Sequence, residues 1–175
     1  MLGLTPKPRR LDIACSADTV HGLRARPALA ASLVLHLLAA CQGSASRPPE
    51  FFPAPAGPMQ TLPFSEAVAA NGFLFVSGQI GTLPGKLELA PGGIAAEAKQ
   101  TLANMQAVLE RHGASLRDVV KCTVFLADIA EWPAFNEVYR QFFQAPFPAR
   151  SALAASGLAL QARVEVECIA RLPAR

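Results

Sequence analysis

Seven residues near the C-terminus, Val164-Glu165-Val166-Glu167-Cys168-Ile169-Ala170, constrain this chain more than any other stretch. Apolar and acidic side chains alternate there with the two-residue period of a β-strand, giving one apolar face and one that carries two glutamates. Carboxylates on such a strand are costly unless they have partners or chemistry to perform. Phe147-Pro148-Ala149-Arg150-Ser151 comes shortly before. Pro148 fixes its own φ and biases Phe147 toward extended backbone, so Arg150 follows a tightly set stretch of chain. A guanidinium grips a small carboxylate through two parallel hydrogen bonds, and a nearby glutamate moves protons or holds a water. Arg150 and Glu165 together predict a pocket for a small acid, with a protolytic residue at its far end.

The 175 residues fit one domain plus an N-terminal extension. At 51% apolar residues the chain can build a core without metal or disulfide staples. The net charge of +3 is unevenly placed. Residues 1–40 hold Lys7, Arg9, Arg10, Arg24 and Arg26 against Asp12 and Asp18, while residues 41–175 balance eleven basic against eleven acidic side chains. A neutral domain with one tyrosine and one tryptophan lacks the basic face of a nucleic-acid binder, so no nucleic acid is expected. The histidines are His21, His36 and His112. His112 precedes Gly113 at an expected helix end, where a histidine caps carbonyls or meets solvent. No second His or Cys stands at ligand spacing from it, so neither zinc chemistry nor a histidine triad is expected.

Arg24 and Arg26 precede an apolar run from Pro27 to Ala40, too short to span a membrane but suited to a secretory signal. It ends in Leu38-Ala39-Ala40-Cys41, which resembles the lipobox of bacterial lipoproteins. That resemblance implies cleavage before Cys41, lipidation of its thiol and a periplasmic, membrane-anchored protein. A cytoplasmic protein with an over-extended translation start is the alternative. Residues 41–58, with Pro48, Pro49, Pro53, Pro55 and Pro58, read as a semi-extended linker, leaving 59–175 as the folded domain.

Within that domain Asn71-Gly72 predicts a hairpin between strands at Ala67–Ala70 and Phe73–Gly78. Ile94, Leu102, Met105, Val108 and Leu109 form a helical stripe ending near Gly113. Val119–Leu126 reads as a buried strand and Trp132–Phe143 as a helix, with Pro133 in its first turn. Strands follow around Arg150–Ala155 and Arg163–Arg171. The order β-β-α-β-α-β-β implies an α+β domain, a mixed β-sheet with two helices on one face. Cys122 and Cys168 have core-facing parity and read as two buried thiols. An oxidising compartment would favour a disulfide instead.

The chain resembles the RidA/YjgF family. The resemblance rests on Asn71 to Gln79, Val119 to Asp128, Asn136-Glu137-Val138-Tyr139, Phe147 to Ser151 and Val164 to Ala170, which follow in the family's order. It implies the chorismate-mutase-like (RidA) fold, usually a homotrimer with pockets between subunits. Glu165 and Glu167 would then face the centre or an inter-subunit cleft. It also implies hydrolytic deamination of 2-imino or enamino acids to 2-oxo acids and ammonia, without metal or organic cofactor. Arg150 would bind the substrate carboxylate and Glu165 would orient or deprotonate the attacking water. Ser77, Gly78 and Asn136 fall at pocket-lining positions of the family. Phe64 stands where active members commonly carry tyrosine, and Ala152 replaces a cysteine two residues after the arginine. Two other readings stay open. One is an exported carboxylate-binding protein without catalysis, and the other is the ribonuclease or translation-inhibitor activity attributed to some relatives.

Overall fold

The computed structural model describes residues 47–173. Its regular elements are β1 (Glu50–Pro53), β2 (Ser65–Ala70), β3 (Phe73–Ile80), α1 (Gly93–Arg111), β4 (Val119–Leu126), α2 (Trp132–Phe142), β5 (Ala149–Ala154) and β6 (Val164–Arg171). The six strands form one sheet in the order β1-β2-β3-β6-β4-β5. Neighbours run antiparallel except β4 and β5, which are parallel. A parallel pair cannot be joined by a tight turn, and α2 supplies the crossover between these two strands. The domain is therefore α+β with a mixed sheet, as expected.

Local chemistry accounts for the main boundaries. Asn71 and Gly72 both adopt positive φ, 50° and 80°, which is what a two-residue turn matched to strand twist requires. α1 ends at the cap residue His112 and is followed by Gly113 at φ 80°. Pro133 lies in the first turn of α2, where its missing N–H costs nothing.

One face of the sheet is covered by the helices. Leu74, Val76, Val124, Val164 and Val166 meet Leu102, Met105 and Leu109 of α1 and Phe135 of α2, all buried. Truncating one of these large side chains to alanine should cost about 2–5 kcal/mol. In β6, Val164, Val166 and Cys168 join this core, while Glu165, Glu167 and Ile169 point to the uncovered face. That face also carries Lys121, Thr123 and Phe125 of β4 and Phe75 of β3.

Two expectations need correction. The segment read as a linker contains a strand: β1 pairs antiparallel with β2, with Glu50 opposite Ala69 and Phe52 opposite Ala67. Phe52 packs against the core and stacks on His112 at 4.2 Å between ring centres. Pro53 is accommodated because it sits on an edge strand, at a register shift where no ladder bond is required of it. The folded unit consequently begins before residue 59, and the element order gains one strand at its start. His112 also lies 3.4 Å from the buried carboxylate of Glu66, which pairs with Arg111 as well.

The second correction concerns the cysteines, which form a Cys122–Cys168 disulfide rather than two free thiols. Strand parity had placed both in the core, and there they lie. Register decides the rest: they stand directly opposite each other on β4 and β6, with Cα atoms 4.1 Å apart. Same-face side chains at a close antiparallel pair meet, and two sulfurs in that position can bond. The lipobox at Leu38–Cys41 and the rest of the apolar leader lie outside the described residues.

Candidate active site

Arg150 lies on β5 opposite Cys122 of β4, and directly paired strand residues share a face. Cys122 faces the core, so Arg150 points to the helix-covered side, at the margin where β5 forms the sheet edge. Its Nη2 donates a hydrogen bond of 2.7 Å to Oδ1 of Asn136 on α2. Its guanidinium carbon stands 4.5 Å from the ring centre of Tyr139 and 5.7 Å from that of Phe135. Cation–π attraction of this kind is strengthened where water is excluded. Tyr139 is itself stacked on Phe143 at 4.4 Å, so the platform beneath the guanidinium is braced from below.

Beside Arg150 opens a cavity of about 340 Å³ lined by Asn136, Tyr139, Arg140, Phe147, Pro148 and Arg150. The helix supplies three of these at i, i+3 and i+4, the spacing that puts side chains on one helical face. The Tyr139 hydroxyl is buried and has no hydrogen-bond partner among the described residues. Burial pushes its pKa up to about 12, outweighing the lowering effect of Arg150, so the phenol stays protonated across the working range.

Glu165 belongs to the other face. It pairs with Ile80 on β3 and with Phe125 on β4, and Phe125 alternates with the core residues Val124 and Leu126. Its carboxylate lies against Gly78: a β-carbon added to that glycine would stand 1.9 Å from Oε1. Only glycine lets the carboxylate rest there. Burial, and secondarily the neighbouring charge of Glu167, raise the Glu165 pKa above its ordinary value. Such a group is a better proton acceptor than an exposed glutamate. Glu167 helps line a smaller hollow of about 160 Å³ with Phe75, Lys121, Thr123 and Ile169.

The remaining expected residues divide between these two places. Ser77 and Gly78 occupy the register shift in β3 opposite β6, and the Ser77 hydroxyl donates to the Ser65 carbonyl at 2.6 Å. Asn136 joins Arg150. Ala152 follows Arg150 on the same face and packs against the core. Phe64 is exposed just before β2 and does not line the Arg150 cavity. The structure thus brings together Arg150 with Asn136, and separately Glu165 with Gly78. It does not bring Arg150 and Glu165 together within one copy of the chain. Tyr139 and Arg140 were not singled out from sequence as site residues. Their signal was the helical spacing from Asn136.

Residues 55–172 match the family described as Endoribonuclease L-PSP. The chain belongs to this family, the one its motifs resemble under the name RidA/YjgF. It is 45% identical over 108 residues to the 2-iminobutanoate/2-iminopropanoate deaminase of Capra hircus, spanning 62% of this chain and 79% of that protein. Among solved structures it resembles the yeast protein YEO7, with TM-score 0.67, 37% identity, and 71% and 99% of the two chains covered. It also resembles E. coli TdcF, solved with bound serine, with TM-score 0.64, 31% identity, and 71% and 99% covered.

Proposed function

We propose that this protein hydrolyses reactive 2-imino acids, such as 2-iminopropanoate, to 2-oxo acids and ammonia. The observation that carries the reading is the Arg150 guanidinium, held by Asn136 and Tyr139 at the edge of an open cavity. A guanidinium is a planar fork that grips a carboxylate in two places. The deaminase relatives at 45% identity support the same reaction.

With the carboxylate held, the adjacent C=N carbon is presented to water. Glu165 takes a proton from that water as its oxygen bonds to the carbon and the C=N π pair moves to nitrogen. Glu165 returns that proton to the nitrogen, giving the carbinolamine. It then takes the hydroxyl proton and passes it to the nitrogen, so that the C–N bond breaks, ammonia leaves and the oxygen becomes the carbonyl of the 2-oxo acid. An imine accepts water readily, so positioning and proton transfer are the help it needs. Arg150 and Glu165 project from opposite faces of one sheet. We therefore infer that a working site takes Arg150, Asn136 and Tyr139 from one copy and Gly78 and Glu165 from a second, within a homotrimer. Phe75, Phe125 and Ile169 on the uncovered sheet face are apolar surface suited to such contact. Light scattering on the purified chain tests the assembly, and a monomer at micromolar concentration would exclude it.

The reaction is tested by generating 2-iminopropanoate in situ with an oxidase acting on alanine. Semicarbazide then competes for the imine. The protein should outrun the trap and release ammonia. Unchanged trapping at micromolar enzyme would contradict the reading.

The sequence Leu38–Cys41 after Arg24 and Arg26 supports a further proposal, that Cys41 becomes a lipidated N-terminus holding the domain at a membrane. Mass spectrometry of membrane fractions should find a lipid-sized increment on a peptide beginning at Cys41. A soluble product that retains residues 1–40 would rule it out.

A further inference from the structure

Two guanidinium groups line the Arg150 cavity, and the hydrolytic reading uses only one. Arg140 stands one position beyond Tyr139 on α2, on the same face as Asn136. Among the described residues, no carboxylate lines this cavity. The partner Arg140 does have is Glu137, at 2.6 Å, three residues back on the helix. Both side chains of that pair are largely in water, 61% and 74% exposed. An exposed pair of this kind contributes little, so Arg140 can leave it at small cost.

The lining chemistry points the same way. The lining also includes Phe147 and Pro148, apolar surface that suits a short methylene chain. From the second cation, the weak hold on it and the apolar lining beside it, we infer that the site accommodates 2-imino acids whose side chain ends in a second anionic group. Arg150 takes the α-carboxylate and Arg140 takes the distal one. This rests on the proposed imine hydrolysis and names its substrate class. Arg140 is a specificity-determining residue in this scheme, with no role in the bond-making steps.

The test compares two stable product-like acids of equal chain length, 2-oxoglutarate and 2-oxopentanoate, as competitive inhibitors of 2-iminopropanoate hydrolysis. Wild type should bind the dicarboxylate about fivefold or more tightly than the neutral-tailed acid, the scale of one charge-assisted contact near solvent. Arg140→Gln should bring that ratio to about one. Lys86→Gln removes a positive charge that lies outside the cavity and should leave the ratio unchanged. Equal affinity in wild type, or a preference that survives Arg140→Gln, overturns the proposal. If 2-iminopropanoate is not hydrolysed at all, the hydrolytic reading fails while calorimetry still measures the same ratio. Binding of neither acid sinks the second anion site as well.

Discussion

Arg150 and Glu165 are fifteen residues apart in the chain and project from opposite faces of the same sheet. The reason is topological. Arg150 pairs with the inward-facing Cys122, whereas Glu165 pairs with Phe125, which alternates with the inward residues of the same strand. Each is well prepared where it stands, the arginine by Asn136 and Tyr139, the glutamate by Gly78. Two prepared halves on opposite faces of one copy are what the proposed site shared between copies requires.

Replacing Arg150 should separate grip from charge. Arg150→Ala is expected to lower kcat/KM by about a hundredfold or more, the loss of two charge-assisted hydrogen bonds, with little change in thermal unfolding. Arg150→Lys should recover only a small part of it, because an ammonium lacks the planar fork. Unfolding of Arg150→Ala would instead make the arginine architectural.

Glu165 carries a pH signature. Its folded-state pKa is raised above the ordinary 4.5, so between those values the folded protein holds a proton that the unfolded chain has released. Stability should therefore fall as pH rises through that window. Glu165→Gln cannot ionise and should be the more stable protein at neutral pH, while turnover drops by roughly 10²–10⁴. Calorimetric scans at several pH values check this. Parallel stability curves for wild type and variant would contradict it.

The Tyr139 hydroxyl is buried without a hydrogen-bond partner among the described residues. Removing an unsatisfied buried polar group relieves its desolvation cost, so Tyr139→Phe should raise ligand-free stability by about 1 kcal/mol. It keeps the ring beneath Arg150. Tyr139→Leu removes that ring and should raise KM, since the guanidinium loses its platform. Denaturant titration with steady-state kinetics reads both effects, and identical KM values for the two variants would dismiss the platform.

Much of this architecture was legible where local chemistry decides structure. Asn71-Gly72 demands a tight turn, the stripe from Ile94 to Leu109 demands a helix, and β6 announces itself by alternation. β1 was not legible, because four residues among prolines look like spacer until Phe52 is seen against His112. Parity placed Cys122 and Cys168 in the core, but which residues face each other depends on register between strands 46 residues apart. The opposed faces of Arg150 and Glu165 were hidden for the same reason, since the parallel pairing of β5 with β4 sets them.

The disulfide gives an independent check. Closing a loop of this length constrains the unfolded chain by about 4 kcal/mol in the chain-entropy account. A reductant should therefore lower Tm in wild type and leave a Cys122→Ala/Cys168→Ala variant unaffected. Equal insensitivity in both would show that the bond does not form in the protein as isolated.

The most direct test of the central claim is complementation between two inactive variants. Arg150→Ala and Glu165→Gln are each expected to hydrolyse 2-iminopropanoate poorly when prepared alone. Unfolded together and refolded as a mixture, they should form sites that take Arg150 from one chain and Glu165 from the other. Random assembly of equal amounts restores about a quarter of the sites, if each site draws on two copies. Recovery of about a quarter of wild-type activity is the predicted result. A mixture no more active than its components would contradict a site shared between copies.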